Sequence, residues 1–103
     1  MRHKYGAKRC EEDSIKFPSR LERNYYQKLK LAKKSGELLE FLRQPLFDLP
    51  GGVSYRADFI EFWRDGTVRV TDCKGMLTKD FISKKKMVEA LYPHIEIEIV
   101  KKV

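Results

Sequence analysis

Leu21, Tyr25, Leu29 and Ala32 recur at helical spacing and lay one apolar stripe along a helix. Ser19 stands ahead of it as an N-cap, after Pro18, and Gly36 follows Ser35 as a C-terminal stop. Over residues 37–49 the period shortens, with Leu38, Leu39, Phe41, Leu42, Leu46 and Phe47 around Pro45. That pattern predicts a strand bent or broken at Pro45, which has no N–H for a central ladder. Pro50-Gly51-Gly52 reads as a turn. Residues 55–63 and 67–73, rich in aromatic and β-branched side chains, predict two more strands. Thr78 or Asp80 caps a second helix over residues 79–91, which Pro93 closes. Ile95, Ile97 and Ile99 alternate with Glu96 and Glu98 and predict a last, half-buried strand. Ahead of the first helix, residues 8–11 and 15–17 predict a short hairpin around Glu12-Asp13-Ser14. The expected fold is α/β (α+β): a mixed central sheet flanked by two helices, with a short N-terminal hairpin.

The turn between the two central strands sets their register. A two-residue Asp65-Gly66 turn would oppose Ile60 to Thr71 and Phe62 to Arg69. A three-residue loop, Arg64-Asp65-Gly66, with Gly66 left-handed, opposes Phe62 to Val68 and Ile60 to Val70 instead. The second register gathers apolar residues on one face, and a slip of one residue would scatter them. Its next pair is Asp58 opposite Asp72, followed two residues later by Lys74.

Composition narrows the class. The chain has 103 residues, enough for one core, so residues 1–8 read as a basic arm and 9–103 as a single domain. No apolar run approaches the roughly 18 residues of a membrane span, and no apolar segment follows the basic N-terminus as in a signal peptide. Cys10 and Cys73 are too few and too distant for a disulfide scaffold or a CxxC zinc site. They read as reduced thiols, Cys73 in the core, of a cytoplasmic protein. The formal net charge is +7. Residues 1–35 hold eleven Lys/Arg against four Asp/Glu, whereas residues 36–103 are balanced at eleven each. One positive face in the first third suits a polyanion such as nucleic acid. A solvated, solubilising surface is the other reading.

Opposed residues of a strand pair have Cβ atoms about 5 Å apart. Asp58 and Asp72 at that separation repel each other unless a cation lies between them, and a hard divalent ion fits the gap. Lys74 beside it would orient or deprotonate a water, or neutralise charge developing on a phosphate. The competing reading is an ordinary salt bridge at a strand end. Glu22 is open to two readings: a third carboxylate of the site, or the acid of a capping box in Ser19-Arg20-Leu21-Glu22.

Asp58 followed by Asp72-Cys73-Lys74, with Glu22 on the preceding helix, resembles the PD-(D/E)XK nuclease signature. A longer ordered set extends the likeness over nearly the whole chain. Lys4-Tyr5-Gly6-Ala7-Lys8, Ser19-Arg20-Leu21-Glu22, Tyr25-Tyr26, Gln44-Pro45, Tyr55-Arg56-Ala57-Asp58-Phe59 and Asp72-Cys73-Lys74-Gly75-Met76 together resemble small phage-encoded relatives of archaeal-type Holliday junction resolvases. The residue before Asp58 is Ala57, where the signature has proline. The resemblance implies a PD-(D/E)XK-like core and a homodimeric, structure-selective endodeoxyribonuclease that resolves four-way junctions by paired phosphodiester hydrolysis in the host cytoplasm. It implies Mg²⁺ or Mn²⁺ held by Glu22, Asp58 and Asp72, with Lys74 catalytic and Ser19 and Gln44 near the site.

Arg20, Arg23, Gln27, Lys30 and Lys34 form a polar line along the first helix that would track a phosphate backbone, extended by Lys4 and Lys8 of the arm. Lys84, beside the apolar stripe of the second helix, either snorkels or points at the phosphate to be cut. Phe41, Leu42, Phe47 and Trp63 are candidates for a dimer interface. Two further functions fit the same residues: a related nuclease acting on forks, flaps or ends, and a non-catalytic basic DNA-binding module.

Overall fold

The structure, a computed structural model, describes residues 10–103. The basic arm with Lys4 and Lys8, and the first residues expected in the hairpin, lie outside that range. The fold is mixed α+β. Strands β1 (Cys10–Glu12) and β2 (Ile15–Phe17) form the N-terminal hairpin, and helix α1 (Arg20–Ser35) follows. Then come β3 (Leu38–Arg43), β4 (Leu46–Asp48), a single 3-10 turn at Pro50–Gly52, β5 (Ser54–Arg56), β6 (Phe59–Trp63) and β7 (Val68–Cys73). Helix α2 (Lys79–Leu91) leads to the final strand β8 (Ile97–Val100). The central sheet has the order β3-β6-β7-β8, antiparallel except for the β7–β8 pair, which α2 connects. Among the described residues no helix is long and apolar enough to cross a membrane.

Local chemistry explains the boundaries. Ser19 Oγ accepts the Glu22 N–H at 3.1 Å, which starts α1, and Gly36 ends it at φ 87°. Thr78, rather than Asp80, caps α2 by accepting the Phe81 N–H. The hairpin turn is tighter than expected: Glu12 belongs to β1, and Asp13 and Ser14 alone make the turn, both at positive φ. Between β6 and β7 the three-residue loop forms, with Gly66 at φ 91° and the Trp63 N–H on the Thr67 carbonyl. Ile60 opposes Val70 and Phe62 opposes Val68, as the apolar pairing requires.

The expectation of one strand over residues 55–63 fails, because Ala57 and Asp58 interrupt it between β5 and β6. The cause is the corner in the partner. Gln44 is left-handed at φ 57° and Pro45 cannot donate, so β3 and β4 separate there. Two bonds carry the pairing across: Gln44 N–H to Asp58 C=O at 2.9 Å, and Ala57 N–H to Pro45 C=O at 3.1 Å. The β4–β5 ribbon therefore keeps the register of β3–β6 while leaving the main sheet.

Each face of the sheet is covered. On one side, Phe81 and Val88 of α2 pack with Val70, Ile97, Ala57, Phe47 and Tyr55. On the other, Tyr25, Tyr26 and Leu29 of α1 pack with Phe17, Leu38 and Phe59. Glu61 lies fully buried on the α1 side and accepts three bonds, from Tyr25 Oη (2.6 Å), Thr71 Oγ1 (2.8 Å) and Trp63 Nε1 (3.0 Å). Of the four apolar residues expected at a dimer interface, Phe47 is core, and Phe41 and Trp63 are half-buried against the α1 cluster. Only Leu42 is openly exposed, together with Leu39 and Leu46.

Replacing Glu61 by Ala would strand two buried donors and the half-buried Trp63 N–H, and should cost at least about 3 kcal/mol of unfolding free energy in urea melts. Glu61→Gln should cost less. A loss under about 1 kcal/mol for the alanine variant would contradict the network's structural role.

Candidate active site

At the C-terminal end of β7, a cavity of about 890 Å³ opens between the first turns of α1 and α2. Glu22, Asp58, Cys73 and Lys74 line it, and Ser19 and Arg20 form part of its α1 wall. Asp72 lies just behind, fully buried.

Asp58 reaches this place because the ribbon corner removes it from regular pairing. Its N–H bonds the Thr71 carbonyl and Asp72 Oδ1 (3.1 Å), and its own Oδ2 accepts the Cys73 N–H at 2.7 Å. Asp58 thus lies just before β6 rather than paired with Asp72 in the ladder, which ends at Phe59–Thr71, and each carboxylate bonds the other segment's backbone. Asp72 Oδ2 is buried with no partner. Lys74 Nζ stands 3.9 Å from Asp72 Oδ1 and 5.1 Å from the centre of the Phe81 ring.

Glu22 does more than help start the helix. Ser19 supplies the capping bond, while the Glu22 carboxyl is buried against Asp58 and Arg43, with Arg43 Nη2 at 3.5 Å from Oε2. Burial raises the Glu22 pKa to about 7, the Asp58 charge adds to the rise, and Arg43 opposes it. Asp58 is also raised by burial, against the pull of the Cys73 N–H and Lys74. The contact between the two pushes Glu22 up and Asp58 down. Asp72 is held up to about 6 by burial, opposed by Lys74 and the Asp58 N–H. The Cys73 thiol is pushed up by burial and by all three carboxylates, which makes it a poor nucleophile.

Among the described residues, no three His, Cys, Asp or Glu side chains are grouped closely enough to hold a metal ion. The donor chemistry nonetheless suits a hard divalent cation: oxygen ligands only, one of them orphaned, and carboxyls that resist ionisation without a counter-charge.

The remaining expected residues divide. Gln44 is exposed and supports the site through its backbone bond to Asp58. Lys84 lines the cavity, paired with Asp80 at 3.2 Å. Arg20 lines it at the start of α1. Arg23 is bonded to the neighbouring Asn24, and Lys34 is exposed near the far end of α1. Lys30 is not an open cation: it pairs with Asp13 at 2.6 Å and Glu12 at 3.6 Å, and Gln27 bonds Glu12. The middle of the expected basic line therefore holds the hairpin against α1.

Arg43 escaped the sequence reading. It also lies over the Phe17 ring at 4.8 Å, and its Nε is buried without a partner. Its position next to Gln44-Pro45 was the available signal.

A family profile described as "Protein of unknown function (DUF1064)" matches residues 2–103. No curated protein matches the chain.

Between the ordinary glutamate value and about 7, the folded chain binds more protons than the unfolded one. Stability from this source is full at the acid end of that window and is lost as the pH rises through 7. In EDTA, the melting temperature should fall between about pH 5 and pH 7.5, and Glu22→Gln should flatten the slope. An equal slope in both proteins would contradict the raised Glu22 pKa.

Proposed function

The chain belongs to that family, and we propose that its member here is a metal-dependent endodeoxyribonuclease acting on branched DNA, four-way junctions above all. The observation that carries this reading is the carboxylate group. Glu22 is buried against the charge of Asp58, Asp72 has an orphaned oxygen, and an ammonium lies 3.9 Å from Asp72, beside a cavity rimmed by cations. Acids forced together by the fold, against their own repulsion, are suited to release protons to a divalent ion.

Glu22, Asp58 and Asp72 would hold Mg²⁺ or Mn²⁺. Bound there, such an ion supplies Lewis-acid stabilisation of a phosphoryl oxygen and an acidified water. Lys74 contributes a positive charge to the developing phosphorane or orients the attacking water, its ammonium steadied by Asp72 and the Phe81 ring. Arg43, 3.5 Å from Glu22, restrains its carboxylate. The first turns of both helices face the cavity and favour an anion there. The pairing of Lys30 with the hairpin acids weighs against a purely basic-helix DNA-binding module, because that charge is already satisfied.

The proposal includes a homodimer, since one subunit has one such site and resolution requires two cuts. Exposed Leu39, Leu42 and Leu46 offer apolar surface for a second copy. It also places the enzyme in the cytoplasm of a bacterial host.

With Mg²⁺, the protein should cut a four-way junction faster than a linear duplex of equal length, and should linearise a cruciform plasmid without first accumulating open circles. Asp72→Asn should abolish cutting and leave junction binding intact. Cleavage by the variant within about tenfold of the parent would overturn the site assignment. Equal rates on junction and duplex would overturn the branched substrate.

A further inference from the structure

The cavity has a second wall that the carboxylate chemistry does not use. Many cations of this protein are already paired: Lys30 with Asp13, Lys33 with Glu40, Arg69 with Glu98, Lys85 with Glu89 and Lys84 with Asp80. Arg56 lines the cavity and, among the described residues, has no ion pair or side-chain hydrogen bond. It is the last residue of β5, exposed, and fixed by backbone pairing to Leu46 two residues before Asp58. Its neighbour Tyr55 lines the same cavity. The Tyr55 ring is held between Phe47 and Phe81, yet its hydroxyl is buried with no partner, although the side chain is only 6% exposed. A buried hydroxyl without a partner calls for a ligand or water to supply one. The first turn of α2, where Thr78 and Phe81 reach the cavity, adds the positive end of a 13-residue helix, although the Phe81 N–H itself is held by Thr78 Oγ1. Asp80 is there too, but Lys84 neutralises it.

We propose that Arg56, with the Tyr55 hydroxyl and the first turn of α2, forms a phosphate-binding subsite that holds the phosphodiester next to the one being cut. Because Arg56 is two residues from Asp58, on the far side of the ribbon corner, its grip sets where the strand lies relative to the carboxylates. Guanidinium geometry suits a phosphate's paired oxygens. That the phosphate belongs to DNA rests on the nuclease reading; that the subsite takes phosphate does not.

Two measurements test it. The first is binding of a four-way junction in EDTA, where no cleavage occurs, as a function of salt. Arg56→Ala should weaken binding about tenfold and reduce the slope of log K against log salt by about 0.9, the loss of one phosphate contact. Arg56→Lys should keep the slope but not the full affinity, and Tyr55→Phe should weaken binding without changing the slope. The second is cleavage of junctions carrying one methylphosphonate at successive positions beside the cut. At one position the neutral linkage should raise KM in the parent and have no further effect in Arg56→Ala. Fully additive effects at every position, or an unchanged salt slope in Arg56→Ala, would overturn the subsite. If the parent cuts no DNA but the Arg56-dependent slope is present, the nuclease reading fails and the subsite stands.

Discussion

The left-handed Gln44 followed by Pro45 is the constraint on which the site depends. It bends one strand of a long antiparallel ribbon at a single point, and the partner strand must yield at Ala57 and Asp58. Two backbone bonds keep the register through the bend, so the yielding is local. Without it Asp58 would be one more residue in a two-sided sheet. With it, the Asp58 carboxylate turns to the Cys73 N–H and comes within reach of Glu22 on α1. The same bend carries β4 and β5 away from the sheet and puts Tyr55 and Arg56 beside the cavity.

Charge is distributed in two separate economies. The buried acids, Glu22, Asp58 and Asp72, have few compensating cations, and burial holds all three carboxyls up. Arg43 and Lys74 offset this only in part. Glu61, just as buried, has three donors and is a structural element, not a reactive one. The difference lies in what surrounds each carboxylate: Glu61 is saturated by neutral donors inside the α1 layer, whereas Asp72 keeps an oxygen without a partner. On the surface, the hairpin acids take up Lys30, whereas Arg20 and Arg56 at the cavity carry no ion pair among the described residues.

The sequence revealed most where interactions are short-range. The β6–β7 register followed from a three-residue loop and four apolar residues, because a hairpin's pairing is set by its own turn. Ser19, Gly36 and the α1 stripe were legible for the same reason. Pro45 announced a break, but the matching break at Ala57-Asp58 needed knowledge that β3 pairs with β6. The sequence pattern did not single out Glu61, since alternation cannot tell a half-covered sheet from one covered by helices on both faces. Lys30 looked open because Glu12 and Asp13 reach it only after the hairpin folds back. Arg43 and Arg56 were hidden likewise: their neighbours Phe17, Glu22 and Leu46 are contacts made in tertiary structure.

The central claim is that the carboxylate group exists to exchange its protons for a divalent ion. Titrating Mn²⁺ into the protein near pH 6.5, with free Mn²⁺ followed by electron paramagnetic resonance and proton release by calorimetry in buffers of different ionisation heat, tests this without DNA. The account predicts saturable binding with release of protons, more at pH 6 than at pH 8, and loss of both in Asp58→Asn. Binding without proton release, or binding that survives in Asp58→Asn, would contradict it.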